Sequence, residues 1–386
     1  MQILGRYRPL LMQEESLYAS LGLTVFRSHD FGESFCRLAS CREDLLQALG
    51  SRLPMGERIG RLGFDSLLAL PGERLIGTIR GSVVLSEASL PFRSVFRMTR
   101  GSRPLNLCLS PEGQVFFGEY FSNPERTEVH IYGTSDCQSW EIVWTFSAGS
   151  VRHIHAVIYD PYRDGVWVLT GDRDHECGLW FTPDSFTTLE PVARGSQHFR
   201  AVAVVPMEEG LLVPTDSPKI QNWIQLLEFP DLGFRRLHPL PGSAFHAIRS
   251  GGVFFVSTVS EPSTVNSQHG ARVYGSLDGF RWGSVARFSP DLLSRGFSWA
   301  ARLIRYPEIA MVGGWDQTPF VFGYGRGVAG AGGKMIRWDR RSILETLREG
   351  RLGERKSKEE SGPEQELWIR SLLRHSNCAM RSGESA

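Results

Sequence analysis

The sequence has no unbroken apolar run of about 18 residues, the length that a membrane-spanning helix requires, so no membrane span is expected. Its six cysteines show neither CxxC pairs nor the spacing of zinc ligands, and we expect most of them to be buried thiols in strands. The N-terminal stretch is short and interrupted by Arg6 and Arg8, which argues against a signal peptide. The cytoplasm is therefore the expected location.

The chain also has little net charge, +1 over 386 residues, so no overall field favours a nucleic acid or an anionic membrane, and no nucleic-acid partner is expected. What it has instead is 41 glycines, 21 prolines and 10 tryptophans, with 41% hydrophobic residues. Such a composition is typical of a globular protein built from many short strands joined by tight turns.

One local pattern recurs along the chain: an apolar strand, then Ser or Thr, then Asp two positions later, and in most copies an aromatic residue. The clearest copy runs from Ser28 to Phe35, and weaker copies begin at Thr134, Thr182 and Ser276. We expect each Asp to accept hydrogen bonds from backbone N–H groups of a hairpin and each aromatic ring to pack between repeats.

Together with degenerate copies, the repeats begin near residues 28, 86, 134, 182, 229, 276 and 323. The first interval is about ten residues longer than the others, which matches an insert from Cys41 to Met55 that is expected to form a short helix. A period of about 40–50 residues is typical of four-stranded propeller blades. The sequence therefore predicts an all-β fold, a seven-bladed β-propeller over residues 1–338, with six blades as the alternative.

Strands can be assigned within each period from apolar alternation and turn-forming residues. In the third blade they are predicted at Leu105–Leu109, Gln114–Tyr120, Glu128–Thr134 and Trp140–Phe146. In the fourth they are predicted at His153–Tyr159, Gly165–Thr170, Gly178–Thr182 and Thr188–Ala193.

The Ser-x-Asp-x-Gly-x-Ser-Phe copy at Ser28–Phe35 resembles the Asp-box, or BNR, repeat of sialidase-like propellers. The resemblance implies a propeller closed by pairing of its N-terminal strand region with the last blade. It does not imply sialidase activity, because the Arg-Ile-Pro signature of sialidases is missing and only Tyr7-Arg8-Pro9 stands near the start. Many unrelated activities share this architecture.

After residue 338 the repeat stops, and residues 339–386 are expected to form a helical, partly disordered tail. A helix is predicted at Arg340–Gly350, a charged linker at Glu354–Glu366 and a last short helix at Leu367–His375. This tail is a candidate docking segment for a protein partner.

Polar residues recur at two positions of the predicted blades: the start of the innermost strand and the exit of the second strand. Both positions are expected to line one end of the propeller, so their residues form the candidate site. The strand starts carry His153, His155, His198, Arg200, His246 and Trp299, and the strand exits carry Glu119, Tyr120, Asp172, Arg173, Asp216, Glu261, Trp315 and Asp316. Clusters of histidines and carboxylates shift each other's pKa and often mark functional sites.

The residue types suggest a carbohydrate-active enzyme, either a glycoside hydrolase or a polysaccharide lyase. The predicted catalytic residues are His155, His246, Asp172, Asp216 and Glu261, and the others are predicted to bind an anionic sugar, with Arg200 neutralising its charge and Trp299 or Trp315 stacking on it. A divalent Mn or Zn ion held by His155, His198 and His246 is a further expectation. The alternative is a non-catalytic propeller that binds glycans or proteins.

Overall fold

We analysed a computed structural model of the chain that describes residues 1–41, 63–261, 263–296, 306–314 and 317–358. The described strands form seven four-stranded antiparallel sheets, so the prediction of a seven-bladed β-propeller is confirmed. In blades 1 to 6 the third strand ends close to the predicted repeat position, because the repeat marks the turn that follows it. In blade 7 the predicted position near 323 is wrong, since it lies inside the second strand, Phe320–Arg326, and the third strand ends at Asp339. The predicted helix at 41–55 lies almost entirely in 42–62, outside the described residues.

The first three blades are formed by twelve consecutive strands. Blade 1 contains β2 (Arg8–Gln13), β3 (Ser16–Leu21), β4 (Thr24–Ser28) and β5 (Cys36–Ser40). Blade 2 contains β6 (Ser66–Leu70), β7 (Arg74–Ile79), β8 (Ser82–Glu87) and β9 (Arg93–Arg97). Blade 3 contains β10 (Cys108–Leu109), β11 (Val115–Gly118), β12 (Val129–Thr134) and β13 (Glu141–Phe146).

The next three blades are again formed by twelve consecutive strands. Blade 4 contains β14 (His153–Asp160), β15 (Gly165–Gly171), β16 (Gly178–Thr182) and β17 (Glu190–Arg194). Blade 5 contains β18 (Val205–Met207), β19 (Gly210–Pro214), β20 (Asn222–Glu228) and β21 (Gly233–Leu240). Blade 6 contains β22 (Ala244–Ser250), β23 (Val253–Thr258), β24 (Ala271–Ser276) and β25 (Gly283–Phe288).

The described strands of blade 7 come from both ends of the chain. They are β26 (Glu308–Val312), β27 (Phe320–Arg326), β28 (Met335–Asp339) and β1 (Gln2–Ile3). Strand β1 pairs with β28, Gln2 opposite Arg337 and Ile3 opposite Ile336, and so closes the ring as predicted.

Helices are few. Two 3-10 helices span Asp174–Glu176 and Gln197–Phe199. Helix α1 spans Leu292–Gly296 and helix α2 spans Arg340–Lys358. Helix α2 begins at the predicted residue but continues past the predicted end at Gly350, so the linker predicted from Glu354 is wrong over residues 354–358. The rest of the predicted tail lies outside the described residues, and its assignment as a separate region stays a prediction. Within the described chain, neither helix is both long and apolar enough to cross a membrane.

The strands predicted for blades 3 and 4 agree with the structure except at the start of blade 3. Leu105–Leu107 does not form a strand, and the Asn106 side chain in this stretch bonds to blade 4. Its Nδ2 donates to the Val157 carbonyl at 2.6 Å and its Oδ1 accepts from the Val157 N–H at 3.1 Å. An amide side chain offers one donor and one acceptor, so it substitutes for a backbone unit between blades 3 and 4.

The turns after the third strands have the predicted hydrogen bonds. In blade 1, Asp30 Oδ1 accepts from the Ser28 hydroxyl at 2.7 Å and from the Ser34 N–H at 2.9 Å. Equivalent bonds converge on Asp136, Asp184 and Asp278. These bonds hold the pKa of Asp30 well below its usual range, the hydrogen bonds from Ser34 having the largest effect.

The apolar core is divided into seven clusters, each lying between two neighbouring blades. Trp140, the aromatic residue of the third repeat, shows how the clusters form: its ring lies 5.7 Å from Phe96 of blade 2 and 5.2 Å from Phe117. Met12 and Leu17 of blade 1 pack against Met335 of blade 7 in the cluster at the seam. Ile343 and Leu347 of α2 extend the cluster between blades 6 and 7.

We predict that Arg337→Ala weakens the closure of the ring. The buried guanidinium of Arg337 donates to Gln2 Oε1 at 3.0 Å, to the Phe31 carbonyl at 2.9 Å and to Glu33 Oε1 at 2.6 Å, and so joins blade 7 to β1 and blade 1. Losing these charge-assisted bonds should lower the free energy of unfolding by about 2–4 kcal/mol.

Urea denaturation of the two proteins measures this difference. The matched control is Arg93→Ala, which removes an ion pair to Glu87 whose arginine is 49% exposed and should cost about 0–1 kcal/mol. Equal losses in the two variants would show that Arg337 has no special part in closure.

Candidate functional site

The candidate site is built around two histidines at the start of β14. His153 pairs with Gly171 at the end of β15, and His155 stands at a β-bulge, between the pairs Ile154–Thr170 and Ala156–Leu169. A bulge re-aims the side chain of the extra residue. The two rings therefore meet, with 3.1 Å between His153 Nε2 and His155 Nε2. Both side chains are almost fully buried, at 5% and 2% exposure.

Glycine at position 171 is what leaves room for the second ring. A Cβ atom on Gly171 would lie 2.5 Å from His155 Cε1, which is closer than real Cβ contacts come. The backbone of β15 thus has to approach the imidazole without a side chain.

The histidines are held by carbonyl groups of the two neighbouring blades. His153 Nδ1 lies 3.0 Å from the Phe121 carbonyl of blade 3, and His155 Nδ1 lies 2.8 Å from the Ala201 carbonyl, which precedes the first strand of blade 5. Because a carbonyl oxygen only accepts hydrogen bonds, each Nδ1 carries a proton and donates it. Burial lowers the pKa of His155, which favours the neutral ring.

Asp172 follows β15 and faces both imidazoles. Its Oδ1 lies 3.4 Å from each Nε2 and 3.1 Å from Arg200 Nη2, and its Oδ2 lies 2.7 Å from Arg152 Nη1. Although partial burial raises the pKa of Asp172, the bonds from His153 and His155 outweigh burial and hold it well below its usual range. Asp172 is therefore ionised at neutral pH.

Arg200 connects Asp172 to a second carboxyl group. Its Nη2 also lies 3.4 Å from Asp216 Oδ2, and the Arg200 carbonyl accepts from the Asp216 N–H at 2.9 Å. Asp216 is only 2% exposed, and its Oδ1 has no hydrogen-bond partner within the described part of the chain. One guanidinium thus lies between the two carboxyl groups.

The pKa of Asp216 is shifted in the opposite direction from that of Asp172. Burial raises the pKa of Asp216 to about 7, against the effect of Arg200, and the charge of Glu261 raises it further. Glu261 also has a raised pKa because of burial, and Ser243 lies close enough to lower the pKa of both acids. Near neutral pH this pair therefore holds a proton that a normal carboxyl group would have lost.

The third blade contributes two of the predicted residues, and only Tyr120 reaches the cluster. The ring of Tyr120 lies 4.3 Å from that of His153, and burial raises the pKa of its hydroxyl. Glu119 is instead neutralised by Arg100, whose Nε lies 3.0 Å from Glu119 Oε1, and it accepts from the His130 N–H at 2.9 Å. Glu119 is thus part of an ion pair at the side of the cluster.

His246 does not occupy the same position as His155, so this part of the blade alignment is wrong. In blade 6 the bulge falls at Phe245, between the pairs Ala244–Thr258 and His246–Ser257. By register, Phe245 corresponds to His155 and His246 corresponds to Ala156. A shift of one residue turns a side chain to the other face of the strand, and His246 Nε2 accordingly lies 3.7 Å from Glu308 of blade 7.

His198 also differs from the predicted position. It lies in the 3-10 helix Gln197–Phe199, and the first strand of blade 5 begins only at Val205, so the predicted strand start at this point is wrong. Burial lowers the pKa of His198, and the positive charge of Arg236 on the outermost strand lowers it further. Within the described chain, the group able to hold a metal ion contains His153, His155 and Asp172, without His198 or His246.

The remaining predicted residues lie at the edge of the site or outside the description. Arg173 is exposed beside Asp172. Trp299, Trp315 and Asp316 lie outside the described residues, and their sugar-binding roles stay predictions.

Three residues of the cluster were not predicted as site residues: Arg152, Ser243 and Gly171. Arg152 stands directly before His153, so its position in the sequence was a usable signal. Ser243 corresponds by register to His153, but a single serine before a strand carries no such signal.

Comparisons with known proteins agree with the fold. No family model matches the chain, and no curated protein matches it in sequence. Among solved structures it is similar to the GH74 enzyme of Niastella koreensis, with a TM-score of 0.53 and 13% identity over 87% of this chain and 53% of that one. The chain thus spans about half the length of that enzyme.

Two further similar structures belong to other classes. One is a catalytically inactive histidine-to-alanine variant of virginiamycin B lyase from Staphylococcus aureus with quinupristin, with a TM-score of 0.53 and 6% identity over 87% of this chain and 97% of that one. The other is a dihydro-heme d1 dehydrogenase, with a TM-score of 0.52 and 15% identity over 87% and 64%. At these identities the similarity shows the propeller fold alone.

We predict that Asp216 makes the stability of the protein depend on pH. Its pKa is about 7 in the folded protein and 3.8 in a free chain, so its contribution is fully present below about pH 3.8 and is lost as the pH rises through 7. Asp216→Asn keeps a neutral group at all pH values. Between about pH 5 and pH 8, the wild type should lose on the order of 3 kcal/mol more stability than this variant.

Urea denaturation at several pH values measures the effect. The matched control is Asp174→Asn, because Asp174 is exposed and its bond from Lys219 lowers its pKa, which places its titration below this range. Parallel curves for the wild type and Asp216→Asn would contradict the prediction.

Proposed function

We propose that this protein is a carbohydrate-active enzyme that acts on an anionic sugar at the end of the propeller where blades 3 to 6 meet. The observation that carries the proposal is the opposed pair of carboxyl groups on Arg200: the pKa of Asp172 is lowered, so it is ionised at neutral pH, and that of Asp216 is raised to about 7, so it keeps part of its proton there. Two acidic groups with pKa values driven apart by their surroundings are the usual basis of acid–base catalysis. Propellers with this overall shape include GH74 glycoside hydrolases.

The buried acid pair is suited to protonate a leaving group. Asp216 Oδ1 and Glu261 Oε2 have no hydrogen-bond partner within the described residues, so each acid keeps one oxygen that is not bonded to the protein. A carboxyl group with a pKa near the working pH is the most effective general acid. In the proposed reaction Asp216 or Glu261 gives its proton to the departing sugar oxygen.

The cations explain why the substrate should be anionic. Arg152 is the more accessible of the two arginines, with 32% of its side chain exposed, and Arg200 lies deeper at 13%. A guanidinium binds a sugar carboxylate or sulfate by paired hydrogen bonds. We therefore expect uronate-containing or sulfated sugars to bind, and neutral ones to bind weakly.

Within this class, the geometry favours a lyase over a hydrolase. A hydrolase needs its two carboxyl groups on either side of the bond to be cleaved, with space between them. Here the space between Asp172 and Asp216 is filled by Arg200 Nη2. A lyase needs instead a cation beside the sugar carboxylate, a base and a proton donor, and His155, whose Nε2 faces Asp172, is the candidate base or metal ligand.

The alternative function is a non-catalytic propeller that binds glycans or proteins with the same face.

We also propose membership of the Asp-box superfamily, from the hydrogen-bonded Ser/Thr-x-Asp turns, and a cytoplasmic location with a protein partner bound by the tail. Cell fractionation tests the location, and co-purification with and without residues 359–386 tests the partner.

We predict that Asp216→Asn and Glu261→Gln lower turnover by about 10²–10⁴-fold, because each amide keeps the shape of the acid but cannot donate its proton. The substrate is first found by incubating the protein with uronate-containing, sulfated and neutral oligosaccharides and separating the products. A lyase also produces an unsaturated sugar that absorbs in the ultraviolet.

Asp174→Asn is the control, since this exposed acid lies outside the acid pair and should leave turnover unchanged. Full activity in both acid-pair variants would refute the assignment of the acid. Saturable binding of a sugar without any product would favour the non-catalytic alternative.

A further inference from the structure

The arrangement of His153, His155 and Asp172 leaves three electron-pair donors facing one another. Each histidine uses its Nδ1 proton for a backbone carbonyl, so each ring turns its Nε2 toward the other ring and toward Asp172. These two nitrogens lie 3.1 Å apart, and Asp172 Oδ1 lies 3.4 Å from both. Three atoms that can each offer a lone pair come this close when a proton or a metal ion lies between them.

The distances among the three atoms fit a metal ion. A tetrahedral ion with bonds of about 2.0–2.1 Å has ligand atoms about 3.3 Å apart, and an octahedral one has neighbouring ligand atoms about 2.9 Å apart. The observed separations of 3.1, 3.4 and 3.4 Å lie at these values. The three ligand atoms therefore need little movement to share one ion.

The hydrogen bonds made by the two rings and by Asp172 are also those expected around a metal site. Ligating histidines almost always donate their other N–H to a carbonyl or carboxylate, which fixes the ring and the tautomer. Here the Phe121 and Ala201 carbonyls, from the blades on either side, do this for both rings. Arg152 Nη1 on Asp172 Oδ2 likewise fixes the carboxylate.

We propose that His153 Nε2, His155 Nε2 and Asp172 Oδ1 bind one divalent transition-metal ion. Two imidazoles and one carboxylate suit Zn²⁺, Mn²⁺, Fe²⁺ or Co²⁺, and leave at least one coordination position open. These three ligands replace the set expected from the sequence, His155, His198 and His246. His246 is lost from the set because the bulge in blade 6 falls one residue earlier than the alignment with His155 requires, which turns the His246 side chain away.

The competing explanation is a single proton shared by the two rings and Asp172. Arg200 and Arg152 already supply positive charge to the carboxylate, which weakens its pull on a metal ion. A bound metal ion can be distinguished from a bound proton, because only the metal ion is detected by elemental analysis and, when it is Co²⁺, by visible absorption.

The proposal does not depend on the proposed reaction, since metal binding can be measured without a substrate. If the lyase proposal also holds, the ion would help Arg152 and Arg200, which both contact Asp172, to neutralise the sugar carboxylate. The histidines would then be ligands, and the base would be another group.

The test is a titration of the purified, chelator-treated full-length protein with Co²⁺, followed by visible absorption and by elemental analysis after dialysis. We expect one equivalent of Co²⁺ that Zn²⁺ displaces. His155→Ala and Asp172→Asn should weaken binding by about 100-fold or more, because removing a residue that only supports a ligand already costs about 10–100-fold. Circular dichroism checks that both variants are folded.

His198→Ala and His246→Ala are the matched variants, since each removes a half-buried histidine, one before the first strand of blade 5 and one in blade 6, and both should keep the full equivalent of metal. Loss of binding in these two variants would overturn the proposal in favour of the other histidine set. A wild-type protein that gives no cobalt spectrum and retains no metal would overturn it in favour of the shared proton, whatever the variants do. Neither result would bear on the acid-pair variants.

Discussion

The structure depends on the fact that a four-stranded blade has two apolar faces and cannot bury either one alone. Each of the seven core clusters lies between two blades, so every blade is stabilised by both neighbours and the ring has to close. Closure rests on β1 pairing with β28, on the Met12–Met335 cluster and on Arg337. Burial of these faces is the main favourable contribution to folding, as in other domains of this size.

The same packing brings together residues that are far apart in the sequence. Because every innermost strand begins at the same end of the ring, His153, Asp172, Arg200, Asp216 and Glu261 come from three consecutive blades into one cluster. Their charges are nearly balanced, but they are unequally exposed to water. Burial raises the pKa of both acids, but only Asp172 has the hydrogen bonds from His153 and His155 that outweigh it, so the pKa of Asp172 and that of Asp216 are driven apart.

The fold could be predicted from the sequence because its signals are local. The turns that hold Asp30, Asp136 and their equivalents need a Ser or Thr and an Asp at fixed spacing. The repeat length of the blades can therefore be read from the spacing of these residues in the sequence. The site could be predicted only in part. Its position on the blades follows from the repeat, but a bulge at His155 or Phe245 is a difference of one residue in strand pairing, and that difference decides whether His246 faces the cluster or blade 7.

The two histidines of β14 are tied to different blades, His153 to blade 3 through Phe121 and His155 to blade 5 through Ala201. The distance between the two imidazole rings therefore depends on how closely blades 3, 4 and 5 pack against one another. Both carbonyls lie in segments that flank strands of those blades, so the imidazole pair is held by blade 3 and blade 5 as well as by blade 4, which carries it.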